Sequence, residues 1–151
     1  MADSEDRNLT SLSLREKDAD RKQRRGAAGD DAVRRFAVDA ARLLGDHHCE
    51  DVLILDVRGA SDLTDYIIIA SGTSDRQILA VSGHVEQEAT THGMARYGRE
   101  IDAPATWLVL DFVDVIVHLF EPQTRAHYDL EMLWGDAPKV EWQRGEESSN
   151  E

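Results

Sequence analysis

The run Tyr66-Ile67-Ile68-Ile69-Ala70-Ser71 constrains the fold more than any other stretch of the chain. It is short, rich in β-branched residues and almost continuously apolar, which predicts a strand buried on both faces. Such a strand demands cover from two sides. The residues after it, Gly72-Thr73-Ser74, form a loop, and Ser74 with Gln77 three positions on matches a capping box that opens a helix.

The flanking sequence supplies the cover. Asp30 or Asp31 can cap a helix in which Val33, Phe36, Ala37, Ala40, Leu43 and Leu44 recur at steps of three and four, ending near Gly45. Val52 to Val57 reads as a first strand, and Arg58 to Thr64 as a turn. After Ser74, the residues Ile78, Val81, Val85 and Ala89 mark a second helical stripe that stops at Gly93. A weaker strand covers Ala95 to Arg99. Trp107-Leu108-Val109-Leu110 and Val115 to Phe120 then pair as a hairpin across Asp111-Phe112-Val113-Asp114. Pro122 can start a final short helix from which Tyr128, Met132 and Leu133 reach back to the sheet. The order αββα(β)ββα predicts one α/β domain, with a mixed sheet of about five strands flanked by helices.

Charge divides the chain of 151 residues into three. Residues 1–29 carry six acids and seven bases, lack aromatics and sustain no apolar period, so they read as a disordered arm. Residues 30–137 carry twenty acids against eight arginines and no lysine, and form the domain. Residues 138–151 read as a polar C-terminal tail. An acidic domain repels phosphate and attracts basic protein surfaces, so nucleic-acid contact should be slight. A general solubility charge explains the same balance. The cluster Arg21-Lys22-Gln23-Arg24-Arg25 suits RNA or plain solvent. No apolar run approaches the roughly 18 residues of a membrane span, and no secretory or transit pattern opens the chain. The lone Cys49 fits a reducing compartment, and hence a cytoplasmic protein.

Few residues suggest chemistry. The Gly72 to Arg76 turn can present backbone amides to an anion, yet it equally suits an ordinary capped turn and matches no nucleotide fingerprint. His47-His48-Cys49-Glu50 has metal-binding composition but no partner cluster at ligand spacing, and His84 and His92 are about two helical turns apart. A nucleotidyltransferase needs two carboxylates one residue apart on a strand after a Gly-Ser turn. Asp111 and Asp114 are three apart across a hairpin, and Glu100 and Asp102 sit in a loop. No catalytic group or metal site emerges, and no cofactor is expected. Trp107, His118, Arg125, Tyr128 and Trp134 crowd into 28 residues among Asp111, Asp114, Asp129 and Glu131, a mixture that suits a protein-binding surface or the closing of a core.

Three blocks carry a resemblance: Asp65 to Gln77, Trp107 to His118, and Arg125-Ala126-His127-Tyr128-Asp129-Leu130-Glu131-Met132-Leu133-Trp134. In order and spacing they resemble the ribosomal silencing factor family (RsfS, or Iojap-like) over about residues 30 to 137. The resemblance implies a nucleotidyltransferase-like fold without catalytic carboxylates, and a protein that is not an enzyme. It implies a homodimer that binds the large ribosomal subunit through large-subunit protein fourteen, blocks joining of the small subunit, and represses translation when nutrients are scarce. Motif positions carry over to Asp65, Gly72, Ser74, Arg76, Trp107, Asp111, Asp114, His118, Arg125, Tyr128 and Glu131. Of the family's surface, Trp107, Leu108, Asp111, Asp114, His118, Arg125 and Tyr128 are expected to face the partner. Asp65, Gly72, Ser74, Arg76 and Glu131 are expected to shape turns. The chain departs from the family at Val113, where Gly is frequent, and around Ile101, where a Gly is missing. The alternative is a divergent nucleotidyltransferase or nucleotide binder that uses the Gly72 to Arg76 turn.

Overall fold

The structure, a computed structural model, describes residues 19–102 and 105–144. A short helix over residues 19–24 (α1) precedes helix α2, Asp30–Asp46. Strands β1 (Glu50–Asp56) and β2 (Tyr66–Ser71) lead to helix α3 (Asp75–Thr91). Strands β3 (Gly98–Ile101), β4 (Trp107–Asp111) and β5 (Val115–Phe120) follow, and helices α4 (Pro122–Tyr128) and α5 (Leu130–Leu133) close the order.

One sheet runs β1-β2-β5-β4-β3. All pairs are antiparallel except β2 with β5, where Ile68 lies opposite Val117 and Ala70 opposite Leu119. Every residue of β2 is buried, as its apolar run demands. The expected mixed sheet of five strands, with the β4–β5 hairpin inside it, is present.

The two faces of the sheet have different covers. Val33, Phe36, Ala37, Ala40 and Leu44 of α2 and Ile78, Val81, Val85 and Ala89 of α3 pack on Ile54, Tyr66, Ile68, Leu108, Leu110, Val117 and Leu119. On the opposite face a smaller cluster joins Leu55, Val57, Ile67, Ile69 and Phe120 with Trp107, Leu130, Trp134 and Ala137.

Local chemistry sets the element ends. Gly29, at φ 84°, is the N-cap of α2, so Asp30 and Asp31 sit in its first turn, where their charge favours the helix dipole, and neither caps it. Ser74 caps α3 by accepting from the Gln77 amide at 3.1 Å. The Gln77 side chain returns to Thr73 and not to Ser74 itself. β3 begins later than expected, at Gly98, after the irregular stretch 94–97.

Three further expectations need correction. Residues 19–29 are not a free tail. They include a helix, and guanidinium hydrogen bonds hold them against the sheet, a mode of attachment that leaves no apolar period to read. Residues 138–144 are also built in: Pro138 O accepts from Asp56 N, Val140 N donates to Ile54 O, and Trp142 Nε1 donates to Val52 O. Met132 and Leu133 do not pack back on the sheet; they are 76% and 73% exposed. Asp129, at φ 48°, breaks the helix and resets its phase, so that Leu130 and Trp134 face inward in their place.

Candidate functional site: an open aromatic face

The second face of the sheet is covered only in part. Residues of β4 and β5 alternate, so Trp107, Val109 and Asp111 share a side with Ile116, His118 and Phe120. Phe120 lies beneath the cluster of Leu130 and Trp134. The rest line an open groove of about 850 Å³, with Tyr97, Gly98 and Glu100 on one bank and Asp20 and Arg24 of α1 at its end.

Aromatic contacts fix Trp107 in place. Its ring stacks on Phe120 with centroids 5.0 Å apart and tilts against Tyr128 at 4.6 Å. Its Nε1 donates to Nδ1 of His118 at 3.1 Å. His118 must be neutral at Nδ1 to accept that bond. Burial pushes its pKa down to about 4, with the Asp111 charge pulling the other way. Tyr128 keeps 49% of its surface exposed, so the patch presents an aromatic wall and a polar edge. Carboxylates rim it, at Glu100 and Asp102 beyond Trp107 and at Asp111 by the hairpin.

The residues expected at a partner surface separate into groups. Trp107, Asp111, His118 and Tyr128 converge on this face. Leu108 does not: it alternates to the opposite side of β4, fully buried under the helices, and holds the strand. Asp114 is 3% exposed in the hairpin turn, where its carboxylate accepts from Gly26 N at 2.8 Å and burial raises its pKa. Arg125 is a brace, with Nη1 on Ser71 Oγ and Nε on Glu131, each at 2.9 Å. In the structure these positions shape the face from within.

The turn residues keep to structural contacts. Gly72 has no room for a side chain, because a Cβ there would strike Cγ1 of Ile78. Ser74 caps α3, Arg76 stands exposed in its first turn, Glu131 pairs with Arg125, and Asp65 pairs with Arg25 at 3.1 Å. Val113 occupies the hairpin at φ 71°, a left-handed conformation unusual for a β-branched residue and one that a glycine adopts without strain. Val109 and Ile116, absent from the expected set, belong to the face by strand alternation alone.

Elsewhere, Asp39, Glu88 and His92 bring ligand-type atoms within 4.8 Å of one another. His92 Nε2 lies 3.0 Å from Asp39 and 3.2 Å from Glu88, a polar link between α2 and α3. His47 stacks on His84 at 4.3 Å. Burial pushes the Cys49 thiol up to about 11, which makes it a poor nucleophile. Among the described residues no helix is long and apolar enough to cross a membrane.

Comparison with known proteins agrees with this architecture. The family described as "Ribosomal silencing factor during starvation" matches residues 30–151. The ribosomal silencing factor RsfS of Bacillus subtilis is 39% identical over 99 residues, which is 66% of this chain and 84% of the relative. A mouse protein named "Mitochondrial assembly of ribosomal large subunit protein 1" is 32% identical over 108 residues, 66% of this chain and 46% of that protein. A crystal structure of a Chromobacterium violaceum protein superposes with a TM-score of 0.63 at 29% identity, covering 78% of this chain and 94% of the other. The sheet order, the hairpin that bears Trp107 and the extent of these matches lead to one conclusion: the chain belongs to the ribosomal silencing factor family.

Proposed function

We propose that this protein binds the large ribosomal subunit through its open aromatic face and blocks joining of the small subunit by occupying the space between them. The partner is a basic ribosomal protein, large-subunit protein fourteen. One observation carries the reading: in a member of this family, part of one sheet face is left uncovered, with Trp107 and Tyr128 as aromatic anchors near the carboxylates of Glu100, Asp102 and Asp111. Buried aromatics ringed by charge are the usual form of a binding hot spot. The acidic rim attracts a basic surface and repels the phosphate backbone of RNA. The mouse relative's name supports a large-subunit partner.

The mechanism is exclusion, with no bond made or broken. Attraction between the rim and its partner speeds encounter and weakens with salt, since exposed charges are screened over about 8–10 Å at physiological ionic strength. Sucrose-gradient sedimentation tests the reading. Added protein is expected to migrate with the large subunit and to shift ribosomes toward free subunits. Migration with joined ribosomes alone would overturn it.

A further inference from the structure

Two arginines of the N-terminal segment are received in an unusual way. Arg21 and Arg25 lie four residues apart and reach two stretches of chain, 61–65 and 111–114. Arg21 forms an ion pair with Oδ2 of Asp111, and its fork also donates to Val113 O at 3.1 Å and to Leu63 O at 2.9 and 3.2 Å. Arg25 donates to Oδ1 of Asp65 at 3.1 Å, to Ser61 O and Thr64 O at 3.2 Å each, and to Asp62 O. Beside them, Gly26 N donates to Oδ1 of Asp114, at a backbone φ of +78°. Each receptor therefore combines one carboxylate with two or more peptide carbonyls. That set matches the fixed fork of donors on a guanidinium and suits the compact ammonium of lysine poorly.

Asp111 ties these receptors to the aromatic face. It lines the groove beside His118, and both its oxygens are engaged, Oδ1 by Val113 N at 2.8 Å and Oδ2 by Arg21. Asp20 and Arg24 stand at the end of the same groove. A basic partner that seeks Asp111 must therefore displace Arg21. The contacts that hold the segment there are made largely by guanidinium groups, which a competing arginine can replace in kind.

We propose that the edge formed by residues 61–65 and 111–114 is an arginine-recognition site, occupied in the free protein by the chain's own Arg21 and Arg25, so that this segment competes with an arginine-bearing stretch of the protein partner. The inference rests on the docking function proposed above and adds to it the chemistry of the partner and a built-in competitor.

The test uses the full-length chain and two full-length variants, Gly26→Pro and the double change Arg21→Gln with Arg25→Gln. Gly26→Pro removes the N–H given to Asp114 and forbids the positive φ while leaving net charge unchanged. Binding is measured to purified large subunits and to a synthetic peptide of residues 19–28. Both variants are expected to bind subunits about three- to tenfold more tightly, as the competent fraction rises toward one. The peptide is expected to bind the variants, to reverse that gain, and to bind the unaltered chain poorly. Equal or weaker subunit binding by Gly26→Pro, or no peptide binding by either variant, would overturn the proposal. If no form of the protein binds subunits, the docking function fails, and selective peptide binding by the variants still upholds the arginine site.

Discussion

Trp107 and His118 occupy adjacent strands and are joined by one hydrogen bond, from the indole Nε1 to the imidazole Nδ1 at 3.1 Å. The bond exists only while Nδ1 carries no proton, so the order of the aromatic face is tied to the neutral state of one histidine.

Stability should therefore depend on pH through His118. Its pKa is lowered by burial to about 4, against 6.5 for an ordinary histidine. The unfolded chain takes up its proton first as pH falls, so the contribution is complete above about pH 6.5 and is lost progressively down to about pH 4. Between pH 7 and pH 5 the loss should be about 2 kcal/mol. Urea unfolding at those two values checks this: the unaltered chain should show the drop, and His118→Gln should show a smaller one.

Trp107→Ala should weaken binding to the isolated basic ribosomal protein by about 2–4 kcal/mol, a loss of thirtyfold or more. Trp107→Phe should retain much of the packing on Phe120 and Tyr128 and lose less. Calorimetric titration of both, with circular dichroism to verify folding, separates the anchor from the support. Equal affinity for all three proteins would remove Trp107 from the interface.

Gly72→Ala should destabilise the fold by about 1–3 kcal/mol, because the new methyl collides with Ile78, itself fully buried. The double change with Ile78→Ala should cost less than the two single losses together, since it removes the collision. Thermal unfolding of the three variants reads this directly.

Arg125→Lys should loosen the C-terminal helices without unfolding the sheet. Lysine cannot serve Ser71 Oγ and Glu131 at once with the geometry of the fork. The expected cost is about 1–2 kcal/mol, seen as faster amide exchange in α5 than in β2.

Salt should act on association more than on stability. Raising ionic strength is expected to slow binding to the large subunit while leaving the dissociation rate nearly unchanged. Stopped-flow measurement at two salt concentrations decides it, and an unchanged association rate would exclude steering by the acidic rim.

What could be read from the sequence follows from how each segment is held. Val33, Phe36, Ala40 and Leu44 announce α2 because burial on one stripe forces a helical period, and the run from Tyr66 to Ser71 announces the central strand because both faces are apolar. Trp107, His118 and Tyr128 could be brought together from motif spacing. Val109 and Ile116 were within reach of the same alternation, and that alternation also shows why Leu108 points away. Contacts made through guanidinium groups and backbone carbonyls leave no such trace. Arg21, Arg25 and the carbonyls of residues 61–64 sit in polar sequence that reads as solvent-facing. Trp142 is similar: a single aromatic in a charged stretch, held by Val52 O and packed against Gly45.

The short C-terminal stretch that pairs Lys139 with Leu55 has a consequence beyond anchoring Trp142. It blocks the outer border of β1, so among the described residues the sheet can recruit an extra strand only beside β3. That border is four residues long and bears Arg99 and Glu100. Brevity and charge discourage strand-by-strand polymerisation there. The molecule can thus keep a greasy surface uncovered without inviting its neighbours to stack into fibrils.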